Sequence, residues 1–145
     1  PQIKTVKRNT LVPMCFIQEA INNNSITLNS SGKQTRNFIS LIHLGDLVLN
    51  LMKKLPKGFS TRNCCSNFNL SILEVAKIVS KQYENIYKKK LKINVKSNKP
   101  EKANNFKLKS KFKKDYDTKK FHYKMMFKEI KKIFVYFKKS KIIKK

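Results

Sequence analysis

The sequence predicts an α+β fold in which several helices are accompanied by short strands. Two observations support this prediction. Apolar residues recur at intervals of three and four in some segments, and they alternate with polar residues in others. The first spacing places apolar side chains on one side of a helix, and the second places them on one face of a strand. An all-helical structure would contradict the prediction.

Four segments have helical periodicity: 12–23, 43–54, 71–85 and 123–137. The third has the strongest signal, because Ser71 and Glu74 have the spacing of a capping box, in which each side chain bonds the other residue's backbone N–H. In the second segment the predicted buried face is apolar throughout. It consists of Leu44, Leu47, Val48, Leu51, Met52 and Leu55.

Short strands are predicted at 25–28, 37–41 and 91–95, and the second of them should be largely buried. Residues 97–120 are nearly all polar and basic, so they are predicted to be the most irregular and exposed internal segment. The chain is therefore divided into one domain, 1–137, and a basic tail, 138–145, which has too little apolar surface to bury and is expected to fray.

The chain is lysine-rich and strongly basic. Its 145 residues include 34 Lys and Arg against 8 Asp and Glu, which gives a formal charge of +26. Such a charge suggests a nucleic-acid-binding module, with lysine clusters at 88–90 and 107–120 as its main evidence. Only Arg8, Arg36 and Arg62 are arginine, however, and lysine lacks the planar fork that suits phosphates and bases. An A/T-rich coding sequence would produce the same composition, so both origins of the charge stay open.

Membrane insertion and export are not indicated by the sequence. No apolar run approaches the roughly 20 residues of a membrane span, and the N-terminus lacks a signal pattern, so a soluble cytoplasmic protein is expected. Three cysteines, Cys15, Cys64 and Cys65, form neither a disulfide framework nor a zinc motif, and buried reduced thiols are expected. The two histidines, His43 and His122, have no nearby cysteine or carboxylate pattern. No metal site is predicted, and His43 should pack near the start of its helix.

Three motifs follow one another in a recognisable order. The first is Leu-Val-Pro at 11–13 with Phe-Ile at 16–17, and the second is Gly-Lys-Gln-Thr-Arg-Asn-Phe-Ile at 32–39. The third is Asn63 followed by the capping-box helix that starts at Ser71. In this order the chain resembles the substrate-binding C-terminal part of the NAD-dependent epimerase/dehydratase family, the extended short-chain dehydrogenase/reductases that act on nucleotide sugars.

The resemblance implies three substrate-binding residues. Arg36 matches the family arginine that grips the diphosphate of the nucleotide sugar with two charge-assisted hydrogen bonds. Asn63 matches the asparagine that opens a glycine-rich turn, which makes it a second phosphate or ribose contact or, alternatively, a turn residue that bonds its own backbone. Lys99 stands in the place of the arginine in Arg-Pro-Gly and supplies charge without the fork. The family's turn glycines are replaced here by residues 64–67, which blurs the substrate.

The family's chemistry needs two features that this sequence lacks. The three glycines of this chain are isolated and cannot form a cofactor-binding turn. Tyr116 and Lys120 have the Tyr-x-x-x-Lys spacing of the catalytic pair, but they lie in a lysine-rich segment after the substrate-binding part. The resemblance therefore implies an incomplete enzyme with no catalytic, cofactor-binding or metal-binding residue. NAD would be bound by a missing N-terminal half, the Rossmann domain.

The resemblance also implies partners. A nucleotide sugar is the expected ligand, no membrane is involved, and nucleic acid is a partner only under the alternative interpretation. A homodimer is compatible with the full enzyme. A third interpretation, a structural or interaction fragment without a ligand, stays open.

Overall fold

A computed structural model describes residues 11–53, 58–59, 63–96, 108 and 118–143 of the chain. The helices within these ranges are α1 (Met14–Asn23), α2 (Leu41–Lys53), α3 (Ile72–Tyr87) and α4 (Lys119–Ile143). The strands are β1 (Ser25–Leu28), β2 (Thr35–Asn37), β3 (Asn69–Ser71) and β4 (Lys92–Val95). The predicted α+β class is confirmed, and β1 has the predicted bounds.

The strands form two separate pairs. β1 and β4 are parallel, with Ser25 opposite Lys92, and β2 and β3 are antiparallel, with Arg36 opposite Leu70. Two-stranded sheets are only marginally stable by themselves in water. Both pairs therefore depend on the helices that pack against them.

The core lies between α1, α3 and α4. Ile17, Ala20, Val75 and Phe134 are among the residues with no exposed surface. Hydrogen bonds from α3 fix its two helical neighbours: the buried Gln82 Nε2 donates to the backbone oxygen of Phe127 in α4 at 2.7 Å. The Tyr83 hydroxyl donates at 2.6 Å to Asn24 Oδ1, at the left-handed C-cap of α1. These bonds satisfy buried polar groups while they align the helices.

The predicted strand at 37–41 is wrong. The strand ends at Asn37, and α2 begins at Leu41 because Ser40 caps it: its Oγ accepts a hydrogen bond from the His43 N–H at 3.1 Å. Two of the apolar residues that suggested a largely buried strand, Leu41 and the adjoining Ile42, are instead exposed in the first turn of the helix. Leu41 is 79% exposed and Ile42 is 57% exposed.

The predicted buried face of α2 is also wrong in part. Leu47 is buried as expected, and the other fully buried side chain is His43. Val48 is 44% exposed and Met52 is 64% exposed, and Leu55 lies outside the described residues. The helix has apolar residues on more than one side, and the other described elements bury only one of these sides.

Strand β3 was not predicted, and α4 is longer than the segment 123–137. The Thr118 hydroxyl accepts from the Phe121 N–H at 3.1 Å, so the helix begins at Lys119. It continues through six residues of the segment predicted as a tail, where Lys138 Nζ donates to the Ile86 backbone oxygen at 3.1 Å. Apart from Leu108, residues 97–117 lie outside the described residues.

Other sequence expectations concern membranes and cysteines. Within the described ranges no helix is both long and apolar enough to cross a bilayer. The three cysteines are free thiols. Cys65 is buried and Cys15 is half-buried, whereas Cys64 is exposed, so the expectation of three buried thiols is wrong at Cys64.

The capping box predicted at the start of α3 is confirmed. The Ser71 hydroxyl accepts from the Glu74 N–H at 3.1 Å, and the Ser71 N–H donates to Glu74 Oε2 at 2.7 Å. This backbone hydrogen bond is the main reason why the pKa of Glu74 is below its usual value. The helix therefore starts with its first free N–H groups satisfied.

We expect Ser71→Ala to lower the free energy of unfolding by about 0.5–2 kcal/mol, the usual cost of losing an N-cap side chain. Because folding lowers the pKa of Glu74, the Glu74 part of the box stabilises above the unfolded pKa and is lost as the pH falls through the folded pKa. The Ser71 hydroxyl itself donates to Glu74 Oε2 at 2.9 Å and helps to lower this pKa, so the part of the penalty that comes from this bond should disappear in acid. Urea denaturation at neutral and acidic pH measures it. Ser140→Ala in α4 is the control, and an equal loss there would contradict a specific capping effect.

Candidate functional site

Arg36 lies in the middle of β2 and is exposed. Within the described residues its guanidinium makes one hydrogen bond, from Nη1 to the Thr35 backbone oxygen at 2.9 Å. A guanidinium has five N–H donors, so the donors that remain are accessible to a ligand. A strand also holds the start of this side chain more firmly than a loop would.

The turn before β2 depends on Gly32. Its φ of 69° belongs to the left-handed region that favours glycine, and a Cβ there would lie 3.1 Å from Leu73 Cβ. The Gly32 backbone oxygen accepts from the Leu73 N–H at 3.0 Å, and the Gln34 oxygen accepts from the Ile72 N–H at 3.1 Å. The turn is thereby fixed against the start of α3, which sets the direction in which β2 leaves it.

Asn37 joins β2 to the segment that carries Asn63. Its Nδ2 donates to the Ser66 backbone oxygen at 2.8 Å, and its Oδ1 accepts from the Ser66 N–H at 3.2 Å. The Ser66 hydroxyl donates in turn to the Phe38 backbone oxygen and accepts from the Phe68 N–H at 2.9 Å. Ser66 is fully buried. These bonds hold residues 63–68 beside the strand of Arg36.

Asn69 extends this network to the basic segment. The side-chain Oδ1 accepts from the Leu108 N–H at 3.2 Å, and Nδ2 donates to the Leu108 backbone oxygen at 2.9 Å. The same Oδ1 accepts from Asn37 Nδ2 at 3.1 Å. One amide side chain therefore pairs with both backbone groups of Leu108, as a neighbouring strand would.

The predicted substrate-binding residues have different positions in the structure. Arg36 and Asn63 are both exposed, and the Asn37 and Ser66 hydrogen bonds bring their two segments together. Lys99 lies outside the described residues, as does Tyr116. Lys120 lies in the first turn of α4 and is exposed. Asn37, Ser66 and Asn69 were not identified from the sequence, because short polar residues in a loop give no signal of the partner that they bond.

The two histidines meet although they are far apart in sequence. The rings of His43 and His122 have centroids 4.9 Å apart and are nearly perpendicular, and both side chains are buried. His122 also stacks on Phe68 at 5.7 Å. The predicted packing of His43 near the start of α2 is confirmed, and its neighbour is a residue of α4. In the described part of the chain no group of three or more metal-ligating side chains occurs.

The described residues form a mixed α+β unit in which the exposed Arg36 lies on a braced strand. A protein with a similar structure is a UDP-N-acetylglucosamine 4-epimerase from Methanobrevibacter ruminantium M1, solved in complex with UDP-N-acetylmuramic acid, with a TM-score of 0.54. The two sequences are 16% identical, and the similarity covers 80% of this chain and 36% of the epimerase chain. No protein-family model matches the sequence, and no curated protein matches it. The fold is therefore compatible with a partial epimerase-like domain.

We expect Asn37→Ala to lower the free energy of unfolding by about 1–3 kcal/mol, because it leaves the Ser66 backbone groups without their partner. Hydrogen exchange should speed up at Ser66 and leave the amides of α1 unchanged. Asn29→Ala, at an exposed position, is the matched control. Equal exchange at Ser66 in wild type and Asn37→Ala would show that the side chain does not brace this segment.

Proposed function

We propose that this chain is the nucleotide-sugar-binding portion of an NAD-dependent sugar-nucleotide epimerase or dehydratase and is inactive alone. The observation that carries the proposal is the fold shared with part of a UDP-N-acetylglucosamine 4-epimerase, combined with the motif order that ends in the accessible Arg36. In this proposal Arg36 contacts the diphosphate, and Asn63 makes a second phosphate or ribose contact. The proposal assigns to Lys99 a charged contact with the same ligand.

Electrostatics supports a diphosphate as the ligand of Arg36. An arginine fork matches two phosphate oxygens and forms charge-assisted hydrogen bonds, which are stronger than neutral ones. The high positive charge of the chain raises the local concentration of any anion and so speeds its association. Neither effect distinguishes one sugar from another, so the proposal covers the class of ligand alone.

The exposed side of α2 supports the idea that a second folded body completes the enzyme. Leu41, Leu49 and Met52 are 79%, 57% and 64% exposed, and Ile42 and Val48 lie on the same side of the helix. A contiguous apolar patch of this kind usually marks an interface. In the proposal this patch is covered by the NAD-binding domain, which would supply the cofactor and the tyrosine and lysine for proton transfer.

The nucleic-acid alternative gains no support from the comparisons with known proteins. It has a distinct experimental signature, since binding would weaken steeply with added salt and would fall as lysines of the 107–114 segment are neutralised. A phosphate-specific site at Arg36 would instead distinguish UDP from uridine. The two proposals therefore differ in a measurable way.

We expect Arg36→Ala to weaken binding of a UDP-sugar by about 1.5–3 kcal/mol, the usual value of a hydrogen bond to a charged group. Calorimetry on the protein joined to an NAD-binding half measures this loss. Arg36→Lys should recover only part of it, because lysine keeps the charge without the fork. Lys33→Ala removes an exposed charge from the same turn and is the control. Unchanged affinity in Arg36→Ala would remove this residue from the site.

We expect the chain alone to show no oxidoreductase or epimerase activity. Hydride transfer requires a cofactor about 3–3.5 Å from the reacting sugar carbon, and binding groups alone do not lower that barrier. The test incubates the purified chain with NAD and a panel of UDP- and dTDP-sugars and analyses the products. Turnover above background would refute the proposal of an incomplete enzyme, whereas turnover that begins only with an added NAD-binding half would support it.

A further inference from the structure

A cavity of about 380 Å³ lies between the start of α1, the link from β2 to α2, and α4. Its walls are predominantly aliphatic and aromatic, and include Pro13, Phe38, Phe68, Met126 and Ile130. Small-molecule sites in proteins have volumes of roughly 300–1,000 Å³ and largely apolar walls with a few polar groups. In both size and lining this cavity resembles such a site.

In the described part of the wall the charged side chain is Glu129. It follows Met126 by three residues and precedes Ile133 by four, so all three lie on one side of α4 and line the cavity. Removal from water raises the pKa of Glu129, and the nearby Lys132 opposes this effect. Among the described residues, none forms a hydrogen bond or an ion pair with the Glu129 carboxylate. The carboxylate has therefore lost part of its hydration without gaining a partner in this part of the chain.

We propose that this cavity binds a small organic cation, in which an ammonium group carried by an apolar body bonds the Glu129 carboxylate. The apolar body would occupy the space between Phe38, Phe68 and Met126, where its burial is favourable. The ammonium would supply charge-assisted hydrogen bonds to the carboxylate. A phosphate or carboxylate ligand would instead bring a like charge beside Glu129, and a neutral hydrocarbon would leave it without a partner.

The overall charge of +26 does not prevent a cation from binding here. At physiological salt the Debye length is about 8 Å, so only charges close to the cavity act strongly on its ligand. Among the residues that the structure describes, no lysine or arginine lines the cavity. Lys132 is the positive group known to act on Glu129, and it should weaken the affinity without abolishing it.

This site is separate from the proposed nucleotide-sugar site. Neither Arg36 nor Asn63 lines the cavity. A ligand here would have the opposite charge from a diphosphate. The two proposals therefore stand or fall independently.

The test compares two probes of nearly equal size, phenethylamine as its hydrochloride and phenethyl alcohol, by calorimetry on the full chain at neutral pH and physiological salt. We expect the ammonium to bind about tenfold more tightly than the alcohol, because a charge-assisted hydrogen bond replaces a neutral one. Equal affinities for the two probes, or no binding of either by folded protein, would overturn the proposal.

Three substitutions assign any preference to this site. Glu129→Gln keeps the size of the side chain and should abolish the preference for the ammonium while the alcohol binds as before. Lys132→Gln should strengthen ammonium binding a few-fold, since it removes the opposing charge. Lys96→Gln changes the net charge equally at an exposed position that does not line the cavity, and should leave both affinities unchanged. A preference that survives Glu129→Gln would refute the assignment.

A fourth variant tests the apolar part of the cavity. Met126→Trp places a larger side chain in it and should abolish binding of both probes. Circular dichroism establishes whether this variant is folded. Binding of the probes by folded Met126→Trp would place them elsewhere, and if the variant does not fold, the isosteric Glu129→Gln comparison still decides the proposal.

Discussion

Burial of α3 is the interaction on which the rest of the described structure depends. This helix contacts α1, α4, β3 and β4. Its residues Val75, Ala76 and Val79 have no exposed surface, and neither has Ala20 of α1. Alanine at two such positions lets helix backbones approach closely, and interiors packed to this density do not accommodate larger groups without strain. Because both strand pairs are too small to be stable alone, they keep their positions only while this helix is in place.

Three of the eight carboxylates of this basic chain stabilise its backbone locally. Glu19 accepts from the Thr27 N–H at 2.7 Å, and Glu84 accepts from the Leu91 N–H at 3.2 Å, each at the entrance to a strand or within it. Glu74 does the same for Ser71 at the start of α3. Hydrogen bonds between a charged acceptor and a backbone donor are stronger than neutral ones. Such bonds hold the ends and edges of secondary structure, whereas Glu129 bonds no backbone group among the described residues.

Local patterns in the sequence predicted those helices and strands whose signals lie within the element itself. The capping box gave the start of α3, and alternation gave β1 and most of β4. The strand predicted at 37–41 failed because apolar residues such as Leu41 satisfy a strand pattern equally well at the exposed start of a helix. For the candidate site, similarity of motifs indicated Arg36. The bracing by Asn37, Ser66 and Asn69 and the meeting of His43 with His122 arise from tertiary contacts, which a local pattern does not contain.

The parallel pairing of β1 with β4 has a consequence for how the chain folds. Parallel strands cannot be joined by a tight turn, and here the connection between them includes β2, α2, β3 and α3. Bringing the two strands together costs the entropy of closing a long loop, and this cost comes before the hydrogen bonds between β1 and β4 contribute any stability. Local elements such as α3 should form early, and the pairing of β1 with β4, in which Ser25 lies opposite Lys92, should form late. Until that closure, Ile26 at the centre of β1 has no strand beside it, which exposes this strand to mispairing during synthesis.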